Sequence, residues 1–279
     1  MATGMTNRRT WVGALVVLAG LGSTGCATLF GSSGRGMDTA AAQILVSDQQ
    51  ESALGLQVHD ELLKQHVKFL SNPAVQSYVD GLVSATSRAA NADRPGVDWK
   101  WFVIDDPNTV NAFATPGGRI YVYTGLLLAA RNEAEVMGVL GHELGHVVAR
   151  HTARQLVAAK GLELVAAMAL GQRPNEVAAL AAALAGKGAM LAYGRDMETE
   201  ADEYGVKYSA ANNYDPNGLA TFFEAMQAKG DTPAVLVFLS THPTHAQRVS
   251  DIRARIAATG ARGAEVGAER LRAIQAKLK

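Results

Sequence analysis

Two histidines and a glutamate near the middle of the chain have the spacing of a metal site. His142 and His146 are four residues apart in the sequence His-Glu-Leu-Gly-His, and Glu143 follows the first histidine. On an α-helix, four residues make slightly more than one turn, so both imidazoles would lie on one face and could bind the same Zn²⁺ ion. Glu143 would stand beside that ion, where it can take a proton from the attacking water. We therefore predict one zinc ion per chain, with Glu143 as the general base.

The residues around this motif are apolar. From Val136 to Val148 the only formally charged residue is Glu143, which indicates a helix that is buried on nearly all sides. A buried carboxylate and two buried imidazoles carry a large desolvation cost, and a bound metal would compensate for it. The alternative is a pair of structural histidines beside a glutamate paired elsewhere. Because a chain of this composition contains roughly 0.008 accidental matches to the motif, we favour the metal site.

A third ligand for a catalytic zinc ion must come from another element. The segment Glu-Thr-Glu-Ala-Asp, about fifty residues downstream, contains Glu198 and Asp202 at helical i,i+4 spacing. One of these acids can reach the metal while the other accepts the N–H of a zinc-bound imidazole. Spacing alone does not decide which acid is the ligand. Glu200 and Glu203 would point away and are expected to be solvated.

Helices and a small sheet must hold these residues. Hydrophobic periodicity predicts helix over about residues 38–90, with a break at Asn72-Pro73. Two short runs rich in β-formers, Trp99–Ile104 and Arg119–Thr124, follow, and the segment between them reads as a loop. From Asn132, which can cap a helix that begins with acidic residues, the pattern is helical to the end of the chain. The predicted fold is α+β and predominantly helical.

Other residues of these elements have simpler interpretations. His151 is interpreted as a packing residue of a helix, and His59 and His66 as surface residues on one helix face. Gly141 and Gly145 would weaken a helix interior, so they indicate a close approach of the sheet or of a substrate.

The N-terminus has the pattern of an export signal. Arg8 and Arg9 precede the apolar run Trp11–Leu21, and small residues then lead to Cys26. This order resembles a bacterial lipoprotein signal, which predicts cleavage after residue 25 and a lipid on Cys26. The alternative is an ordinary cleaved signal peptide and an incidental thiol. We predict a signal peptide over residues 1–25, a flexible tether over 26–37 and a single domain over 38–279.

Composition excludes several classes of protein. The chain has 279 residues, of which 48% are hydrophobic and 19% charged, so it is not largely disordered. Because 26 basic residues balance 26 acidic ones, there is no electrostatic case for nucleic-acid binding. The single cysteine excludes an intrachain disulfide.

Several further motifs give the chain a specific resemblance. It resembles the HtpX/CAAX-prenyl-protease family of gluzincin zinc metallopeptidases, particularly the periplasmic BepA-like and LoiP-like lipoproteins. The matching segments are Val79–Leu82, Asn111–Gly118, Tyr123–Leu126, Glu133–Glu135, His142–His146 with Arg150-His151, Arg195–Asp202 with Gly205, Tyr214–Pro216, and Thr241–Pro243 with Arg248. The resemblance implies a zincin core of the minigluzincin type, with a small sheet over the helix that carries the active-site motif.

The resemblance also implies roles for individual residues. The zinc ligands would be His142, His146 and Glu198, and Asp202 would orient a liganding imidazole. His242 would lie close to the metal, either stabilising the oxyanion or capping the zinc in a latent enzyme, with His245 as a competitor for that position. Extended substrates would pair with an edge strand formed by Asn111, Ala112, Phe113 and Ala114.

The expected function follows from these roles. We predict a zinc metalloendopeptidase that acts on misfolded or stalled envelope proteins in the bacterial periplasm, anchored by lipid to the outer membrane. Its expected partners are unfolded or extended polypeptides, the membrane and, by the resemblance, outer-membrane assembly machinery. The alternative is a latent zinc-bearing chaperone or binding module in which His242 caps the metal.

Overall fold

The protein is described by a computed structural model over residues 46–186, 193–230, 232–242 and 246–278. The predicted signal peptide, Cys26, the tether and His245 lie outside the described residues. Within the described ranges, no helix is both long enough and apolar enough to cross a membrane.

In the part of the chain that the structure describes, three strands form one sheet. They are β1 (Lys100–Ile104), β2 (Ala112–Thr115) and β3 (Arg119–Tyr123). Strand β3 lies in the centre, parallel to β1 and antiparallel to β2, with Tyr121 opposite Phe102 on one side and Phe113 on the other. The two strands predicted from β-forming runs are present. The third lies where the local pattern reads as a loop and the resemblance places an edge strand.

Helices account for most of the remaining described chain, which confirms the predicted helical α+β class. Two precede the sheet, α1 (Asp48–Lys64) and α2 (Pro73–Ala90). Those that follow are α3 (Thr124–Ala129), α4 (Glu133–Val148), α5 (His151–Lys160), α6 (Leu162–Ala169), α7 (Pro174–Leu184), α8 (Arg195–Ala211), α9 (Gly218–Lys229), α10 (Pro233–Thr241), α11 (Ala246–Thr259) and α12 (Ala268–Gln275). Helix α4 begins as predicted, because the Asn132 side chain accepts the backbone N–H of Glu135.

The sheet separates two hydrophobic cores. Successive residues of β3 point to opposite faces, so Ile120 and Val122 enter one core while Tyr121 and Tyr123 enter the other. Helices cover both faces, which explains why β3 reads as a nearly continuous apolar run rather than an alternating one. Helix α4 belongs to the first core, and every one of its residues is buried.

Glycines allow α4 to pack closely against α8. A Cβ atom on Gly141 would lie 3.0 Å from the Cα of Gly205, and one on Gly145 would lie 2.7 Å from the Cβ of Tyr204. The close approach predicted at these glycines is therefore present, but the neighbour is α8 and not the sheet or a substrate. This contact holds the acidic segment of α8 directly against the histidines of α4.

Candidate metal centre

Four buried side chains from three elements converge beside α4. His142 and His146 come from α4, Glu198 from the first turn of α8, and His242 from the residue that follows α10. Each offers one ligand atom, and these atoms all lie within 4.8 Å of one another. The Nε2 atoms of the two α4 histidines face each other at 3.0 Å.

His142 is held from behind by a carboxylate. Its Nδ1 lies 2.9 Å from Asp202 Oδ1, so the ring keeps Nε2 free for the centre. Arg248 of α11 lies 2.7 Å from an oxygen of each acid, Asp202 and Glu198. The guanidinium thereby links the two carboxylates and compensates their buried charge. Arg248 appears among the matching residues in the sequence, but its role could not be inferred from spacing.

His146 is held by a different set of groups. Its Nδ1 lies 2.8 Å from Nδ1 of His151, whose Nε2 lies 3.1 Å from Glu200 Oε2. The ring of Tyr193 stacks on the His146 ring with centroids 4.0 Å apart. His151 is fully buried, as a packing residue would be, but it also contacts the candidate ligand. The expectation that Glu200 is solvated is wrong, because Arg154 and His151 both bind its carboxylate.

The protonation states suit metal binding. Burial lowers the pKa of His142 and that of His146, so both rings are neutral and keep a lone pair. Burial alone would raise the pKa of Glu198, but the charge of His242 and hydrogen bonds from His146 and His242 outweigh it and hold that pKa well below its usual value. Neutral imidazoles and an ionised carboxylate are the forms that ligate a metal.

Glu143 has the environment of a general base. It is buried beside the convergent atoms, and a backbone contact with Ala114 of β2 acts against the effect of burial on its pKa. Burial raises the pKa of Glu143 to about 7. A general base with a pKa near the working pH exchanges protons most effectively. Glu143 Oε1 also lies 3.3 Å from Nε2 of His242.

The segment predicted to bind substrate borders this site. Strand β2 is an edge of the sheet, and the contact between Ala114 and Glu143 places that edge beside the centre. Asn111 is fully buried just before the strand, and among the described residues its side-chain amide has no hydrogen-bond partner. Phe113 points to the other face, where it stacks on Tyr121, so its side chain does not line the centre.

Two other histidines lie away from the centre. His66 is exposed, as expected of a surface residue. His59 is only partly exposed, because its Nδ1 lies 3.0 Å from the Tyr121 hydroxyl and its ring packs on Phe102 at 4.4 Å. The seven-residue spacing predicted that His59 and His66 share one helix face, but α1 ends at Lys64 and His66 lies beyond it with a left-handed φ of 58°. Spacing also could not show that the sheet covers His59.

The donor set fits a zinc ion. Two imidazoles turn Nε2 inward and give Nδ1 to partners outside the cluster, and a carboxylate and a third imidazole complete four donors. Mixed nitrogen and oxygen donors in fourfold convergence are typical of zinc and unlike the all-oxygen sites of calcium or magnesium. A buried helix with this motif, an acid from a second helix and an edge strand beside the base together define the core of a zincin-type metallopeptidase.

Comparison with known proteins gives the family. Residues 71–256 match the model of peptidase family M48, so the chain belongs to this family of metallopeptidases. It is 31% identical over 220 residues to metalloprotease LoiP of Escherichia coli, which covers 77% of this chain and 84% of LoiP.

Two other relatives are longer than this chain. The beta-barrel assembly-enhancing protease of Escherichia coli is 30% identical over 234 residues, covering 78% of this chain and 46% of that protein. The mitochondrial metalloendopeptidase OMA1 of Schizosaccharomyces pombe is 36% identical over 155 residues, covering 55% of this chain and 45% of its own length. The chain therefore spans less than half of the length of these two relatives.

Proposed function

We propose that the chain is a zinc-dependent endopeptidase that hydrolyses extended polypeptides. The observation that carries this proposal is the convergence of His142, His146 and Glu198 beside a buried glutamate that touches an edge strand. Membership of family M48 supports the same class of reaction.

The zinc ion would be held by His142, His146 and Glu198, with Asp202 orienting the first of these rings. When bound, the ion would polarise the scissile carbonyl and acidify the attacking water. Glu143 would take the proton of that water and later deliver it to the nitrogen of the leaving amine.

Strand β2 would hold the substrate. An extended peptide can add to a sheet edge through backbone hydrogen bonds, which gives affinity without demanding a particular sequence. The residues offered for this pairing are Asn111, Ala112, Phe113 and Ala114. The contact between the Ala114 backbone and Glu143 supports the placement, since a peptide on this edge would pass over the base.

The position of His242 also fits a closed state of the site. Its Nδ1 lies 3.2 Å from Nε2 of His142 and 3.4 Å from Glu198, while its Nε2 lies 3.3 Å from Glu143. One ring thus fills the fourth donor position and also contacts the general base. We infer a latent arrangement, in which His242 must turn away before water and a peptide reach Glu143. In the alternative function, a zinc-bearing binding module with negligible turnover, His242 would stay in this position permanently.

The cellular role is proposed from the sequence and the relatives. We propose misfolded or stalled cell-envelope proteins as substrates and a periplasmic, lipid-anchored location, with outer-membrane assembly machinery as a candidate partner. The lipoprotein-like signal supports the anchor. Cells that express the chain should incorporate labelled palmitate into it, and a Cys26→Ser variant should not; label retained by that variant would refute the anchor.

The peptidase proposal is tested with the purified chain and unfolded casein. Zinc-loaded protein should cleave casein, a chelator should stop the reaction, and Glu143→Gln should abolish it while zinc binding persists. Equal, measurable cleavage by the unmodified and Glu143→Gln proteins would refute the proposal. His242→Ala should increase cleavage if the ring caps the site, whereas complete absence of cleavage by both unmodified and His242→Ala proteins would favour the binding module.

A further inference from the structure

His146 contacts a histidine outside the set of candidate ligands. We propose that His151 is a positioning residue for the zinc site, which fixes the tautomer and the direction of the His146 ring. This inference rests on the proposed function, because it assumes that His146 binds a metal. In this proposal, His151 of α5 orients His146 as Asp202 orients His142.

The position of the protons follows from the distances. If His146 binds a metal through Nε2, its Nδ1 carries the hydrogen and needs an acceptor. The atom at 2.8 Å is Nδ1 of His151, which must therefore be unprotonated. The hydrogen of His151 then lies on Nε2, 3.1 Å from Glu200 Oε2. Arg154 Nη1, at 3.2 Å, favours the ionised form of that acceptor.

The contact between His146 and His151 requires the helix to be interrupted between these residues. In a continuous helix, residues five apart are about 140° apart around the axis, so their side chains do not meet. Arg150 interrupts the helix with a left-handed φ of 59°, and α5 starts at His151 in a new direction. The Arg150 guanidinium is itself fixed by Glu51 Oε1, at 3.1 Å, and by the carbonyl of Val46. The turn is thus held by buried charge.

The two zinc histidines consequently have unequal partners. His142 donates to a carboxylate, Asp202, whereas His146 donates to a neutral imidazole whose own partner is a carboxylate. In both cases the hydrogen on Nδ1 of the ring has a defined acceptor, and the hydrogen bonds end at a carboxylate. Loss of such a partner commonly weakens metal affinity by about 10- to 100-fold.

The test compares metal binding with the stability of the metal-free protein. Zn²⁺ affinity of the full chain is measured by competition with a chromophoric chelator, and thermal unfolding is measured without metal. His151→Leu should weaken zinc binding about tenfold or more. His151→Asn should bind within about threefold of the unmodified chain, because its Oδ1 can accept where Nδ1 did. A merely structural role would not produce this rescue.

Two further variants separate positioning from packing. His59→Leu removes a half-buried histidine contact away from the centre, the one to Tyr121, and should lower stability without changing zinc affinity. Glu200→Ala removes the carboxylate that accepts from His151, and it should weaken zinc binding several-fold while the protein remains folded. This variant keeps the inference testable if His151→Leu does not fold.

Three results would overturn the inference. They are an unchanged zinc affinity in His151→Leu, an affinity of His151→Asn as low as that of the leucine variant, and an unchanged affinity in Glu200→Ala when the leucine variant does not fold. In each case normal zinc binding by the unmodified chain would leave the proposed function standing. Failure of the unmodified chain to bind zinc would refute the proposed function, and this inference with it.

Discussion

A buried charge network ties the first described helix to the end of the active-site helix. Glu51 of α1 is 1% exposed, and its carboxylate contacts the guanidinium groups of Arg94 and Arg150. Arg94 also donates to the carbonyl of Val147, in the last turn of α4. We predict that Glu51→Gln destabilises the whole domain, because it leaves two buried guanidinium groups facing a neutral amide.

The size of the effect follows from what each arginine keeps. Removal of one partner from a buried ion pair costs about 3–5 kcal/mol of unfolding free energy. Arg94 retains Asp48, at 2.5 Å, and the Val147 carbonyl, while Arg150 retains the Val46 carbonyl. We therefore expect the lower end, about 3 kcal/mol. For a domain of this size, that corresponds to a fall of roughly 6–12 °C in the thermal midpoint.

The assay has a control on the same helix. Glu61, whose side chain is 14% exposed, pairs with Lys64, whose side chain is 68% exposed. Glu61→Gln therefore removes an ion pair with a solvated lysine and should leave the midpoint close to that of the unmodified chain. Both variants are compared by thermal and urea unfolding. Equal shifts in Glu51→Gln and Glu61→Gln would refute the reasoning, since they would mean that burial of the network contributes nothing.

Four further changes have expected outcomes in the same assays. Gly145→Ala should lose about 1–3 kcal/mol, since its Cβ would overlap Tyr204, whereas Gly81→Ala, in an open part of α2, should gain about 0.5–1 kcal/mol. Zinc at a thousandfold excess over its dissociation constant should add about 4 kcal/mol of unfolding free energy, and a chelator should reverse the gain. Tyr193→Phe, which loses only a 2.8 Å hydrogen bond to Thr152, should cost about 1 kcal/mol and keep zinc binding. A larger loss of zinc affinity than of stability would contradict that last expectation.

The parts of the site that could be predicted are those with short-range spacing. His142, Glu143 and His146 lie within one turn and a half of helix, and Asp202 lies one turn after Glu198, so helical geometry alone sets each group. Whether the two groups meet depends on the tertiary structure. They are brought together where Gly141 packs on Gly205, and a glycine in a helix does not show which element packs against it.

Other contacts have no local pattern that could reveal them. Strand β2 has four residues and no alternation because both of its faces are buried, so the sequence around Ala112–Thr115 reads as a loop. His151 meets His146 only because Arg150 takes a left-handed conformation, which its residue type does not favour. The signal that could have drawn attention to His151 is its place three residues after Val148, where the apolar helix ends.

The arrangement explains why metal affinity should report on the packing of the whole domain. Each of the two α4 histidines is oriented by a residue from another element, Asp202 on α8 for His142 and His151 on α5 for His146. The turn that delivers His151 is fixed in turn by Glu51 on α1. A perturbation at Glu51 therefore has a path of direct contacts to His146 through Arg150 and His151. If that path transmits displacement, Glu51→Gln should weaken zinc binding even at temperatures where the variant is fully folded, whereas Glu61→Gln should not. Unchanged zinc affinity in folded Glu51→Gln would show instead that the network stabilises the fold without positioning the site.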